Sequence, residues 1–175
     1  MEYFDIYDIN RQKTDRKGVR GEKTPEGDMR LVVHICIVNK KGEMLIQHRQ
    51  PFKKGWSGLW DISVGGSAIA GDDSRRAAER EVKEELSLDL QITHRPNFNI
   101  NFDGGFDDFY LVDWDGDISA LQLQYSEVES VKWATRQEIL SMILDGSFVP
   151  YYPSLINMIF DMKNSMVKYG AHFRE

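Results

Sequence analysis

No disulfide can form within this chain, because its 175 residues include one cysteine, Cys36. A lone thiol fits a reducing, cytoplasmic setting. No apolar run reaches the roughly 18 residues that a membrane-spanning helix needs. The opening Met1-Glu2-Tyr3-Phe4-Asp5 lacks the basic start and apolar core of a signal peptide. Positive charge is scarce too: 22 Lys and Arg stand against 28 Asp and Glu, for a net charge of −6. A general nucleic-acid binder wants a basic surface, so neither nucleic acid nor membrane is expected as a partner. His34, His48, His94 and His172 show no zinc-ligand spacing, and a single cysteine cannot complete such a site. No Gly-Lys-Ser/Thr follows Gly65, Gly66 and Gly71, which excludes a P-loop. No Gly-x-Ser-x-Gly nucleophile elbow occurs. The run Asp113-Trp114-Asp115-Gly116-Asp117 starts like an EF-hand loop, but Ile118 and Gln124 stand where Gly and Glu are required. It reads as a turn.

What is present is ordinary for a globular protein, with 41% apolar and 29% charged residues. The length predicts one domain over 1–175, with 1–28 as an N-terminal strand and loop extension. Residues 2–9 read as a short strand, and the polar stretch 10–28 as a long turn or loose hairpin. Residues 30–38 are almost continuously apolar, which suits a strand covered on both faces; His34 and Cys36 within it read as core residues. After the turn Asn39-Lys40-Lys41-Gly42, residues 43–49 alternate and form a hairpin with that strand. A loop over 50–64 runs into a short strand from Trp60 to Val64. Further strands are expected at 88–94, 98–102, 108–114 and 127–133. A capping box, Thr135 with Glu138, opens a helix ending near Asp145-Gly146. A last helix over 154–168 carries Leu155, Ile156, Ile159, Met162 and Met166 as its core stripe. This order predicts a mixed α+β fold, with helices on the faces of a mixed sheet.

The stretch 65–90 is the informative one. A helix over about 73–86, capped by Ser74 or Asp73, advances about 100° per residue. Glu81, Glu84 and Glu85 then share one face at i, i+3 and i+4. Three like charges on one face repel, and a divalent cation would offset that cost, because hard cations take clustered carboxylate oxygens. Ala77 and Ala78 fall in the same arc one turn earlier and leave room for a substrate or a metal, while Val82 and Leu86 anchor the helix to the sheet.

Here the sequence resembles the Nudix hydrolase family. Its signature runs Gly, five residues, Glu, seven residues, then Arg-Glu-aliphatic-x-Glu-Glu-x-Gly-aliphatic. Gly66 fills the first place, Asp72 replaces the first Glu, Arg80, Glu81, Val82, Glu84 and Glu85 match, Ser87 replaces the second Gly, and Leu88 fills the last place. The segments GEMLIQHR, GLWDISVGG and EVESVKW also resemble the family, in a branch near the isopentenyl-diphosphate isomerases.

The resemblance implies an α/β/α sandwich and Mg²⁺-dependent hydrolysis of a diphosphate linked to another group X, often a nucleoside diphosphate. Mn²⁺ is the alternative ion. By the resemblance, Glu81, Glu84 and Glu85 are the metal ligands, with the carbonyl of Gly66 adding a contact. Arg80 orients a carboxylate of its own helix. The general base is sought among Asp107, Asp108 and Glu127, with Glu84 and Glu85 as alternatives. Arg49 and Gln47, with Lys53 and Lys54, are candidates for phosphate contact; Trp56, Trp60 and Phe52 are candidates for stacking a base. Relatives that form dimers make a homodimer the expected assembly. The isomerase alternative requires a cysteine just before the box glycine and a histidine just after it. This chain has Gly65 and Ser67 there. A non-catalytic nucleotide-binding module is the third reading, and it gives no use to clustered negative charge.

Overall fold

Odd and even positions of one strand feed two separate cores. In the computed structural model, which describes residues 1–169, Leu31, Val33, Ile35 and Ile37 of β3 (Arg30–Val38) point to one face of the sheet, and Cys36 points to the other. On the first face lies α1 (Ser74–Leu86), through Ala77, Ala78, Val82 and Leu86. The opposite face is covered by α2 (Arg136–Asp145) and α3 (Pro153–Tyr169), through Ile139, Ile156, Ile159 and Phe160. The result is the expected α/β/α arrangement around a mixed sheet. Pro153 opens α3 at the position where a missing N–H costs nothing. The Thr135–Glu138 capping box opens α2 as the sequence predicts. His172 lies outside the described residues, as does the side chain of Met166.

Two departures from the expected strands shape the molecule. First, β3 and β4 (Met44–Arg49) pair only at Val38 and Met44, and then diverge. The segment 60–67 fills the opening. Its first part, β5 (Trp60–Asp61), pairs with β4, and its second, β6 (Val64–Ser67), pairs with β3. Near the apex the Ser63 hydroxyl accepts from the Ile37 amide at 2.8 Å and donates to the Leu45 carbonyl at 2.5 Å. It thereby bridges the two strands where their own ladder stops. Ser63→Ala removes both bonds in a fully buried position, and denaturant titration is expected to show a loss of about 1–3 kcal/mol.

Second, no strand forms over 88–94. Leu88, Leu90 and Ile92 lean into the core beside α1, and the Ile92 amide donates to the Glu79 carboxylate at 2.8 Å rather than to a neighbouring strand. Their alternate spacing serves insertion between α1 and the sheet.

The remaining elements close the sheet. β7 (Phe98–Phe102) and β8 (Gly105–Asp113) form a hairpin, and β8 runs parallel to β3 along its whole length. β9 (Val128–Ala134) lies antiparallel to β4. The polar N-terminal stretch folds as a hairpin of β1 (Tyr3–Tyr7) and β2 (Lys13–Val19). That hairpin docks on the loop before α1. The Ala70 amide donates to the Tyr3 carbonyl at 2.8 Å, and the Gly71 amide to Asp5 Oδ2 at 2.7 Å. Among the described residues, no helix is long and apolar enough to cross a membrane.

Candidate functional site

The divergence of β3 and β4 puts Gly65 and Gly66 in the opening between them, directly before the loop into α1. Asp73 caps α1 by accepting from the Arg76 amide at 2.9 Å. Ser87 ends the helix with φ +51°, a left-handed conformation that glycine adopts without cost, which accounts for a glycine in the signature at this place. Ala77 and Ala78 are fully buried against the sheet, so they let the helix approach closely rather than leave space for a ligand. This corrects the reading of them as room for substrate. The helix therefore sits deep, and Glu81 and Glu85 on its flank are only 8% and 5% exposed, whereas Glu84 is half exposed.

Three neighbours fix these carboxylates. A Cβ on Gly66 would overlap the Glu81 carboxylate, so the missing side chain is what admits it. Arg80 spreads its guanidinium over the acids: Nε donates to Asp72 at 3.0 Å, Nη1 to Glu81 and Glu84 at 3.0 Å each, and Nη2 to the Ser67 carbonyl at 3.0 Å. Gln47, from β4, donates to Glu85 Oε2 at 3.1 Å. Burial pushes Glu85 well above the usual carboxylate range, and the Glu81 charge adds to this against the Gln47 bond. Burial likewise raises Glu81, with Arg80 pulling the other way.

The acids open onto a cleft of about 240 Å³. Glu127 and Gln124 also line it, the Gln124 amide donating to the Glu85 carbonyl at 2.9 Å, and Glu2 and Arg20 enter it from the N-terminal hairpin. Glu127 is also paired with Lys53. Among the described residues, no three acids already stand together as a ligand group. Arg80 draws Glu81 and Glu84 toward itself through one nitrogen. The donor set nevertheless suits a hard divalent cation: clustered carboxylate oxygens, two of them on buried side chains, in a cradle that a Cβ would fill.

Several residues named from sequence do not reach this cleft. Asp108 is 1% exposed on the α1 face of the sheet, where Arg11 and Ser74 hold Oδ2 at 2.8 and 2.6 Å, so it is not placed to act as base. Its neighbour Asp107 points to the opposite face and accepts from His34 Nδ1 at 2.7 Å. His34 therefore has a specific acidic partner. Its ring stacks on Phe109 and occupies the space of a Cβ at Gly65. Arg49 reaches Asp61 at 3.3 Å and the Gly55 carbonyl at 3.2 Å, away from the cleft lining. Trp56 stands exposed on its loop, Phe52 meets Tyr125, and Trp60 packs on His48. Of the suggested substrate contacts, Gln47 touches Glu85 and Lys53 pairs with Glu127. Sequence reasoning missed Arg20 and Glu2, which sit in polar stretches without periodicity. It also missed Asp61 and Tyr151, which share a 2.8 Å hydrogen bond.

Residues 28–154 match the model of the NUDIX domain. The uncharacterized Nudix hydrolase lin0387 of Listeria innocua is 43% identical over 166 residues, covering 94% of this chain and 97% of that protein. The isopentenyl-diphosphate Delta-isomerase of Halorhodospira halophila is 31% identical over only 88 residues, half of each chain. Among solved structures, DR0079 from Deinococcus radiodurans superposes with a TM-score of 0.73 at 21% identity, covering 90% of this chain and 97% of that one.

Proposed function

The chain belongs to the Nudix hydrolase family, and from that premise we propose that it is a Mg²⁺-dependent pyrophosphohydrolase. Its substrate is a nucleoside diphosphate linked to another moiety X, or a similar small diphosphate compound. The observation that carries this reading is the pair of buried acids at the edge of an open cleft, Glu81 seated against Gly66 and Glu85 held by Gln47.

Glu81, Glu84 and Glu85, with the Gly66 carbonyl, are the residues that would hold Mg²⁺, with Mn²⁺ as the alternative. When bound, the ion neutralises diphosphate charge and lowers the pKa of the attacking water. Arg80 sets the carboxylate positions through its four hydrogen bonds, and Gln47 orients Glu85. Glu127, which lines the same cleft, takes the proton of the attacking water. Asp108 has no part in this scheme, because its carboxylate is enclosed by Arg11 and Ser74.

The isomerase alternative gains nothing from the geometry. A side chain at Gly65, where that chemistry needs its cysteine, would overlap the His34 ring. Cys36 is fully buried on the α2 and α3 face, and burial pushes its thiol far above the usual range.

The test is a panel of nucleoside diphosphate compounds together with isopentenyl diphosphate, assayed with and without Mg²⁺. Cleavage of a diphosphate linkage only with the ion is expected. Double-bond migration in isopentenyl diphosphate, with no cleavage of any compound, would overturn the proposal.

A further inference from the structure

A diphosphate approaching this cleft meets an unfavourable balance of fixed charge, since five glutamates and two arginines line it. One of the arginines is not available. Arg80 already commits Nε, Nη1 and Nη2 to four acceptors of the protein. The other is Arg20, which follows β2 and lies outside the region matched to the NUDIX domain. Its backbone amide is tied to the Glu2 carbonyl at 2.9 Å, so its position is set by the hairpin. Its side chain is 59% exposed and makes one ion pair, Nη1 to Glu2 Oε1 at 2.7 Å, with a partner that is itself 44% exposed. A pair this exposed is weak, because water competes for both partners and salt screens them. Arg20 lines the same cleft as Glu81, Glu84, Glu85 and Glu127.

We propose that Arg20 binds a phosphate group of the substrate, exchanging its exposed partner Glu2 for that group. A planar guanidinium offers two parallel donors to a phosphate, and a phosphate bond formed in the cleft is stronger than the surface pair it replaces. Glu2 holds the arginine over the cleft until the substrate enters and competes with the substrate for it. The N-terminal hairpin thus adds to the cleft a cation whose one ion pair is exposed, whereas Arg80 and Lys53 of the matched region are committed to cleft acids. This assignment rests on the pyrophosphohydrolase reading above.

Opposite responses of the two partners provide the test. Titration calorimetry with methylenediphosphonate and Mg²⁺ measures binding without turnover. Arg20→Ala is expected to bind about 10- to 100-fold more weakly. Arg20→Lys should recover only part of that loss, because an ammonium lacks the fork. Glu2→Gln is expected to bind about two- to fivefold more tightly, since it frees the arginine. An ion pair that merely fastens the hairpin would give the reverse for Glu2, with both variants weakened alike; that result, or wild-type affinity in a folded Arg20→Ala protein, overturns the proposal. If the alanine variant fails to fold, the sign of the Glu2→Gln effect still decides. A wild-type protein that binds no diphosphonate overturns the pyrophosphohydrolase reading itself, which is distinct from wild-type binding that Arg20→Ala leaves unchanged.

Discussion

Glutamine in place of Glu85 is expected to lower turnover by about two to four orders of magnitude. The same substitution should raise the melting temperature of the protein measured without added metal. Both effects have one origin. Glu85 is buried beside Glu81, and its ionised form suffers from lost solvation and from the neighbouring charge. Glutamine keeps the shape, and its amide oxygen accepts the Gln47 bond, while the charge that a cation would need is gone. The pH dependence follows from the raised pKa. The folded state binds this proton more tightly than the unfolded chain does. As pH rises from the ordinary glutamate value of 4.5 toward the raised value, stability is therefore lost. Lowering the pH from neutrality should stabilise the metal-free wild type, and Glu85→Gln should remove much of that slope. Added Mg²⁺ should raise the wild-type melting temperature at neutral pH and leave the variant nearly unmoved. Calorimetric melting at several pH values, alongside steady-state rates, measures all of this. A variant with normal turnover would sink the assignment of Glu85 to the metal site, and a variant less stable than wild type at neutral pH would show that the buried charge is satisfied.

A methyl group at Gly66 should be nearly as damaging to activity, for a steric reason. Gly66 has no positive φ, so the backbone of β6 accepts alanine without strain. The atoms nearest to the added Cβ are those of the Glu81 carboxylate, the far end of a side chain rather than backbone. The side chain can swing away, so folding should survive while the carboxylate loses its place. A displacement of this size is expected to lower turnover about a hundredfold. Mg²⁺ affinity should fall with it, and thermal stability should change little. Gly66→Ala with wild-type rate and wild-type Mg²⁺ titration would show that Glu81 does not need its present position.

The parts of the fold that were legible in sequence are those set by local chemistry. The apolar run 30–38 announced a strand with two covered faces, and β3 feeds a core on each side. The Thr135–Glu138 pair announced its cap, and the spacing of Glu81, Glu84 and Glu85 announced a shared helix face. What failed depended on which way a neighbour turns. Asp107 and Asp108 are adjacent on β8, so their side chains leave opposite faces, and neither faces the cleft. Ala77 and Ala78 looked like open space because a small residue reads the same whether it faces a ligand or a tightly packed sheet. Leu88, Leu90 and Ile92 alternate like a strand but turn into the core beside α1 instead of pairing with a neighbouring strand, so their spacing became a row of plugs. Arg20 carried no signal, because its role depends on where a polar hairpin docks. The site is thus readable where one helix defines it, and unreadable where other segments complete it.

The wedge between β3 and β4 determines how the molecule can come apart. Residues 60–67 are bonded to β4 on one side and β3 on the other, with Ser63 fastened to both. They cannot peel away as a flap without parting the two central strands. Amide hydrogens along this segment should therefore exchange with solvent only when the whole sheet opens, at the slowest rate in the protein. Glu81 and Glu85 stand beside that wedge on α1, with the Glu81 carboxylate against Gly66. The cost of keeping these two acids together is subtracted from global stability until a proton or a cation removes it.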